Sequence, residues 1–237
     1  GLTGKAAASQ YELLLLMPEL DGDQVSTKAL FSAAERYRMM PQIDRWVVST
    51  AVAMIAGSVE AIDSQGVSIS INLSGQSLGD DEILEFIEEE LEHSGVPAAM
   101  LCFEITESAA VSNLEKAQKF IDRLRELGCR ISLDDFGAGL SSFAYLKSFN
   151  VDVLKIDGGF IRDITSNRIS ESMVTAITQV AKVMELETVA EFVETKGARK
   201  LLKSIGVDYA QGHAVGKPLA FDAVLADLSE MPKSSAG

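Results

Sequence analysis

The sequence is short of cysteine, histidine, tryptophan and positive charge. Its 237 residues include two cysteines, two histidines and one tryptophan, and 21 Lys and Arg face 35 Asp and Glu for a net charge of −14. That balance leaves no basic surface to draw in a nucleic-acid backbone or an anionic membrane, so neither polymeric nucleic acid nor direct membrane contact is expected. No apolar run approaches the roughly 18 to 20 residues that span a bilayer, and the opening GLTGKAAASQ lacks the hydrophobic core of a signal peptide. The expectation is a cytoplasmic domain, with any membrane tether of a parent protein outside it. Cys102 and Cys129 lie in separate apolar runs without ligand spacing and read as reduced, structural thiols. His93 and His213 are equally isolated, so a zinc donor set is missing. A small anionic ligand stays open, because divalent metals held by carboxylates can invert the local potential of an acidic protein.

The chain does hold a regular rhythm. Hydrophobic residues make up 47% of it, enough for one compact domain over residues 1–237. Short β-rich runs alternate with helical periods. Strands are predicted at Tyr11 to Met17, Val67 to Leu73, Leu101 to Thr106, Arg130 to Asp134, Val151 to Ile156, Glu187 to Glu191 and Val207 to Gln211. Helical patterns include Lys28 to Arg38, Ile43 to Ile62 and an acidic stretch from Asp81 to Ser94, whose glutamates read as a solvated face. Gly128 and Gly206 fall where helix ends are expected. Such alternation implies βαβ units and an α/β barrel. A closed barrel needs eight strands, and the opening LTGK is turn-like, so a first strand is expected to be missing from a fragment of a larger protein.

The polar residues carry the chemistry. Asn72, Glu104, Asp134, Lys155, Glu191 and Gln211 each fall at or near the C-terminal end of a different predicted strand, and in a parallel barrel those ends form the active face. Glu12 stands near the start of its predicted strand. Either that strand runs antiparallel or Glu12 lies outside the site. Glu104, Asp134, Asp135 and Glu191, with the neutral oxygen of Asn72, make an oxygen-rich set suited to Mg²⁺ or Mn²⁺. Lys155 would orient the attacking hydroxide, stabilise phosphate charge or serve as a buried counter-ion. Adjacent Asp134 and Asp135 open the glycine-containing loop FGAGLSS. With no nucleophilic triad in view, metal-activated attack of water on a phosphodiester is the indicated reaction class.

Several of these stretches together resemble the EAL family: YELLL at Glu12, INLS at Asn72, FEITE from Phe103 to Glu107, LDDFGAGLSS from Leu133 to Ser142, KIDG from Lys155, AEFVE from Ala190 to Glu194 and DYAQG ending at Gly212. The resemblance implies a (β/α)8 TIM-like barrel with one antiparallel strand and hydrolysis of cyclic di-GMP to the linear dinucleotide. It implies two ions, with Glu12, Asn72, Glu104 and Asp134 as ligands and Asp135 on the second. Lys155 and Glu191 would be catalytic alongside Asp135, and Glu107 would hold the loop after the aspartate pair. Gln211 and Leu14 are expected on the substrate side. A homodimer and fused GGDEF and sensory domains are the implied partners. One departure stands out, because Leu16 occupies the place of the arginine in the E-x-L-x-R signature and removes a charge-assisted phosphate contact. The alternative to an enzyme is therefore a degenerate domain that senses cyclic di-GMP or a protein partner.

Overall fold

The structure, a computed structural model, describes residues 1–2, 10–16, 26–139 and 143–230. Among these residues seven strands form one sheet in chain order: β1 Gln10–Leu13, β2 Ser68–Leu73, β3 Leu101–Thr106, β4 Arg130–Phe136, β5 Val153–Ile156, β6 Glu187–Ala190 and β7 Tyr209–Ala210. Every described pairing is parallel. Parallel strands need crossovers, and helices supply them. Between β1 and β2 run α1 Thr27–Arg36, α2 Met40–Ala56 and α3 Val59–Ser64. Then come α4 Asp81–Ser94 before β3, α5 Glu107–Ser112 and α6 Leu114–Glu126 before β4, and α7 Phe143–Leu146 before β5. The series ends with α8 Gly158–Ile161 and α9 Arg168–Val183 before β6, α10 Lys196–Ile205 before β7, and α11 Phe221–Glu230.

Strands covered on both faces should read as continuous apolar runs, and β2 to β5 do so. Ile69, Ile71, Leu101, Phe103, Ile105, Ile131, Leu133, Leu154 and Ile156 are fully buried. The acidic helix falls on the predicted residues. Asp80 caps α4 by accepting from Glu82 N, and Gly95 ends it at φ 69°. The pattern predicted from Ile43 to Ile62 is two helices, divided at Gly57 and Ser58, where glycine's low helix propensity interrupts the period.

Two expectations are corrected. Glu12 does not sit on an antiparallel strand: β1 pairs with β2 in parallel, with Glu12 beside Ser70. The strand is also shorter and earlier than its apolar run suggested. It ends at Leu13, which puts Glu12 at the C-terminal end with the other polar residues. The run of leucines had extended the predicted strand past its true end.

The sheet curls far enough to bring its edges together. Gln211, just past β7, donates to Glu12 Oε2 on β1 at 2.7 Å. Leu2, itself buried, donates its backbone N–H to Asp208 O beside β7.

Candidate active site

Four carboxylates, three on strands and Glu191 just past the end of β6, surround one ammonium. Lys155 Nζ, on β5, lies 2.6 Å from Glu104 Oε2, 2.9 Å from Glu191 Oε1 and 3.3 Å from both Glu12 Oε2 and Asp134 Oδ1. The lysine side chain is 3% exposed. Glu12 is clamped further, because Asn72 donates to its Oε1 and Gln211 to its Oε2, each at 2.7 Å. Asn72 spends its amide nitrogen there, so its carbonyl oxygen is the atom it can offer a cation.

The electrostatics show too much negative charge for one lysine. Burial pushes the Glu104 carboxyl up to about 7, with Glu12 and Asp134 adding repulsion that Lys155 only partly offsets. Glu191 moves the same way, through burial and then the repulsion of Asp134 and Glu12 working against Lys155. Asp135 is raised by burial and by Asp134 beside it. Glu12 alone goes down, since Lys155 and the hydrogen bonds from Gln211 and Asn72 outweigh its burial. Lys155 is driven upward despite its own burial, because four acids hold its proton. Carboxylate oxygens of Asp134, Asp135 and Glu191 come within 4.8 Å of one another, close enough to share a cation. Oxygen donors in excess of their counter-charge fit a hard divalent cation.

Backbone geometry sets the aspartate pair. Asp135 adopts φ 53°, a conformation that non-glycine residues rarely take, and its N–H turns back to Asp134 Oδ1 at 2.9 Å. Glu107, buried at the start of α5, accepts from Gly137 N at 2.9 Å and so anchors the loop beyond the pair. Leu140, Ser141 and Ser142 of that loop lie outside the described residues.

The structure thus brings together Glu12, Asn72, Glu104, Asp134, Asp135, Lys155, Glu191 and Gln211, with Glu107 one step behind. Leu14 does not join them. It is exposed just past the end of β1, and Leu16 is 75% exposed. Leu15 and Leu16 instead line an apolar cavity of about 350 Å³ with Leu30, Met39, Gln42, Ile43 and Trp46. Sequence reasoning missed Asp44. Buried on α2, it accepts from Ser74 N at 2.9 Å and Ser77 Oγ at 2.6 Å, fixing the loop two residues beyond Asn72. Its signal was a carboxylate set in the buried stripe of Met40, Val48, Ala51 and Ile55.

Residues 5–218 match the family model described as EAL domain. The chain belongs to the EAL family. A cyclic di-GMP phosphodiesterase PdeB from Shewanella oneidensis is 38% identical over 218 residues, covering 92% of this chain and 25% of the relative. The Escherichia coli phosphodiesterase PdeF is 33% identical over 234 residues, covering 99% of this chain and 31% of PdeF. The EAL domain thus spans a quarter to a third of the length of these relatives. Among solved structures, a PaMucR phosphodiesterase in complex with c-di-GMP superposes with a TM-score of 0.84 at 27% identity, covering 90% of this chain and 86% of that one. The FimX EAL domain from Pseudomonas aeruginosa bound to c-di-GMP gives 0.83 at 26%, covering 92% and 86%.

Proposed function

We propose that this EAL domain hydrolyses cyclic di-GMP to the linear dinucleotide, using two divalent cations, Mg²⁺ or Mn²⁺. The observation that carries the proposal is the convergence of Glu12, Glu104, Asp134 and Glu191 on Lys155 at the C-terminal ends of five strands. Glu12, Asn72, Glu104 and Asp134 would hold one ion and Asp135 would reach the second. A divalent cation there supplies Lewis-acid activation of water and neutralises phosphate charge. The protein's own residues do the positioning. Asn72 and Gln211 fix Glu12 in one orientation, and Glu107 fixes the loop just beyond Asp135. Lys155 Nζ presents protons to an oxygen entering the cluster and steadies the developing charge on phosphate. Glu191 Oε1, 2.9 Å from Lys155 Nζ, would take a proton from water entering the cluster. In the reaction, one P–O ester bond breaks, one bond forms to the water oxygen, and the leaving oxygen gains a proton. The test is conversion of cyclic di-GMP by the purified chain with either metal, against an EDTA control.

Within this reading, Leu16 is expected to weaken substrate binding. The side chain is exposed and apolar at the place where the family signature has arginine. Loss of one hydrogen bond between charged groups costs about 1.5–3 kcal/mol, one to two decades in affinity and not the chemistry. Leu16→Arg is therefore expected to lower the KM for cyclic di-GMP at least tenfold with kcat little changed; a KM that does not move would remove Leu16 from the account.

We also propose that the domain self-associates and that the whole protein carries GGDEF and sensory domains. Ile169, Met173, Ala176, Val180 and Val183 recur on α9 at the spacing of a helix-pairing seam, and Ile169 and Val183 are largely exposed. Sedimentation velocity should show a dimer that Met173→Glu dissociates; a monomer at all concentrations would dismiss it.

A further inference from the structure

Phe192 is an aromatic residue held in a left-handed backbone conformation beside the site. Its φ is 51°, and its side chain remains 46% exposed. Neighbours on both sides impose that backbone. Glu191 N donates to Ile156 O on β5, Val193 N donates to Gln211 O at 2.9 Å, and Ala214 N donates to Val193 O at 3.0 Å. A strained residue kept in place by its surroundings points to a use for its side chain.

The ring has a prepared bed. A Cβ on Gly158 would lie 2.2 Å from Phe192 Cδ2, so only glycine lets the ring settle onto α8. One turn along, the Arg162 guanidinium stands 4.4 Å from the ring centroid. Gly158 and Arg162 lie on the same side of that turn, linked by a hydrogen bond from Arg162 N to Gly158 O. With both against the ring, the side chain still keeps 46% of its surface exposed. Glu191, the preceding residue, contacts Lys155, so the shelf stands one residue from the carboxylate cluster.

We infer that Phe192, backed by Arg162, is the stacking shelf for one guanine base of the bound dinucleotide. The inference rests on the cyclic di-GMP reading above. A base whose phosphate sits at the cluster has a flat partner within a nucleotide's reach, and the guanidinium behind the ring fixes its tilt. Base stacking on an aromatic side chain tolerates any base but adds affinity, which suits a site short of one phosphate contact.

The test measures cyclic di-GMP binding in EDTA, where turnover does not interfere. Phe192→Gly suits the left-handed backbone, so the variant should melt no lower than the unaltered protein while binding about tenfold more weakly. Phe192→Trp in a Trp46→Phe background supplies a single indole at the shelf; its fluorescence should be quenched by cyclic di-GMP and unmoved by inorganic phosphate. Unchanged affinity in Phe192→Gly, or an indole blind to the dinucleotide, overturns the shelf even if the protein turns substrate over. Weakened binding with quenching supports it even if turnover is absent, which would count against the phosphodiesterase alone. Failure of the unaltered protein to bind cyclic di-GMP both in EDTA and with Mg²⁺ overturns both.

Discussion

Lys155→Met is expected to cost the metal-free domain about 3–5 kcal/mol of unfolding free energy at pH 8, measured by urea denaturation. Among the described residues the lysine is the one positive charge in contact with these four acids, and its side chain is 3% exposed, so solvent screening offers little relief. Methionine keeps the volume and removes the charge. The loss should shrink as pH falls, and the sign follows from Glu104. Its pKa, ordinarily 4.5, is already raised to about 7 by burial and its acidic neighbours with Lys155 present. A carboxyl raised on folding contributes stability that is fully present below 4.5 and lost as pH rises through the folded value. Without Lys155 that value climbs further, so the variant should be weakest above pH 7 and recover most of its stability near pH 5. Mg²⁺ or Mn²⁺ should raise the variant's melting temperature more than the parent's, because a cation would replace the missing ammonium. A variant as stable as the parent at pH 8 would mean that the cluster is not the charged assembly described.

Asp134→Ala is expected to reduce turnover of cyclic di-GMP by on the order of a thousandfold or more, the scale at stake when one ligand of an activating cation is lost. The same change should leave the metal-free fold at least as stable as before. Asp134 repels Glu104 and Glu191, and its removal relieves both. An inactive variant with an unchanged or higher melting temperature separates a chemical role from a structural one. Turnover within tenfold of the parent would take Asp134 out of the proposed metal set.

The sequence made the site more legible than its geometry. Asn72, Glu104, Asp134 and Lys155 were visible because each is a charged or amide side chain at or near the C-terminal end of a mainly apolar run. Glu12 was misplaced, since apolar continuity from Leu13 to Leu16 hides where hydrogen bonding to β2 stops. Its true place is set by pairing with residues nearly sixty positions away, which local pattern does not encode. Leu14 stands apart from the cluster for the same reason, as an exposed residue just beyond the strand. Glu107 was legible through its motif, and its bond to Gly137 N gives that reading a physical form. Phe192 could not be valued from sequence, because its importance lies in a positive φ and in the missing Cβ of Gly158. Asp44 shows the opposite case, a buried acid whose helical phase announced it but whose partners, Ser74 and Ser77, only the fold supplies.

The most direct test of the central claim is chromatographic detection of the linear dinucleotide after incubating the purified chain with cyclic di-GMP, with Mg²⁺ or Mn²⁺ and then with EDTA. Metal-dependent product that EDTA abolishes is the predicted result. Tight binding of cyclic di-GMP with no linear product under either metal would contradict it and leave a sensor built on an EAL fold.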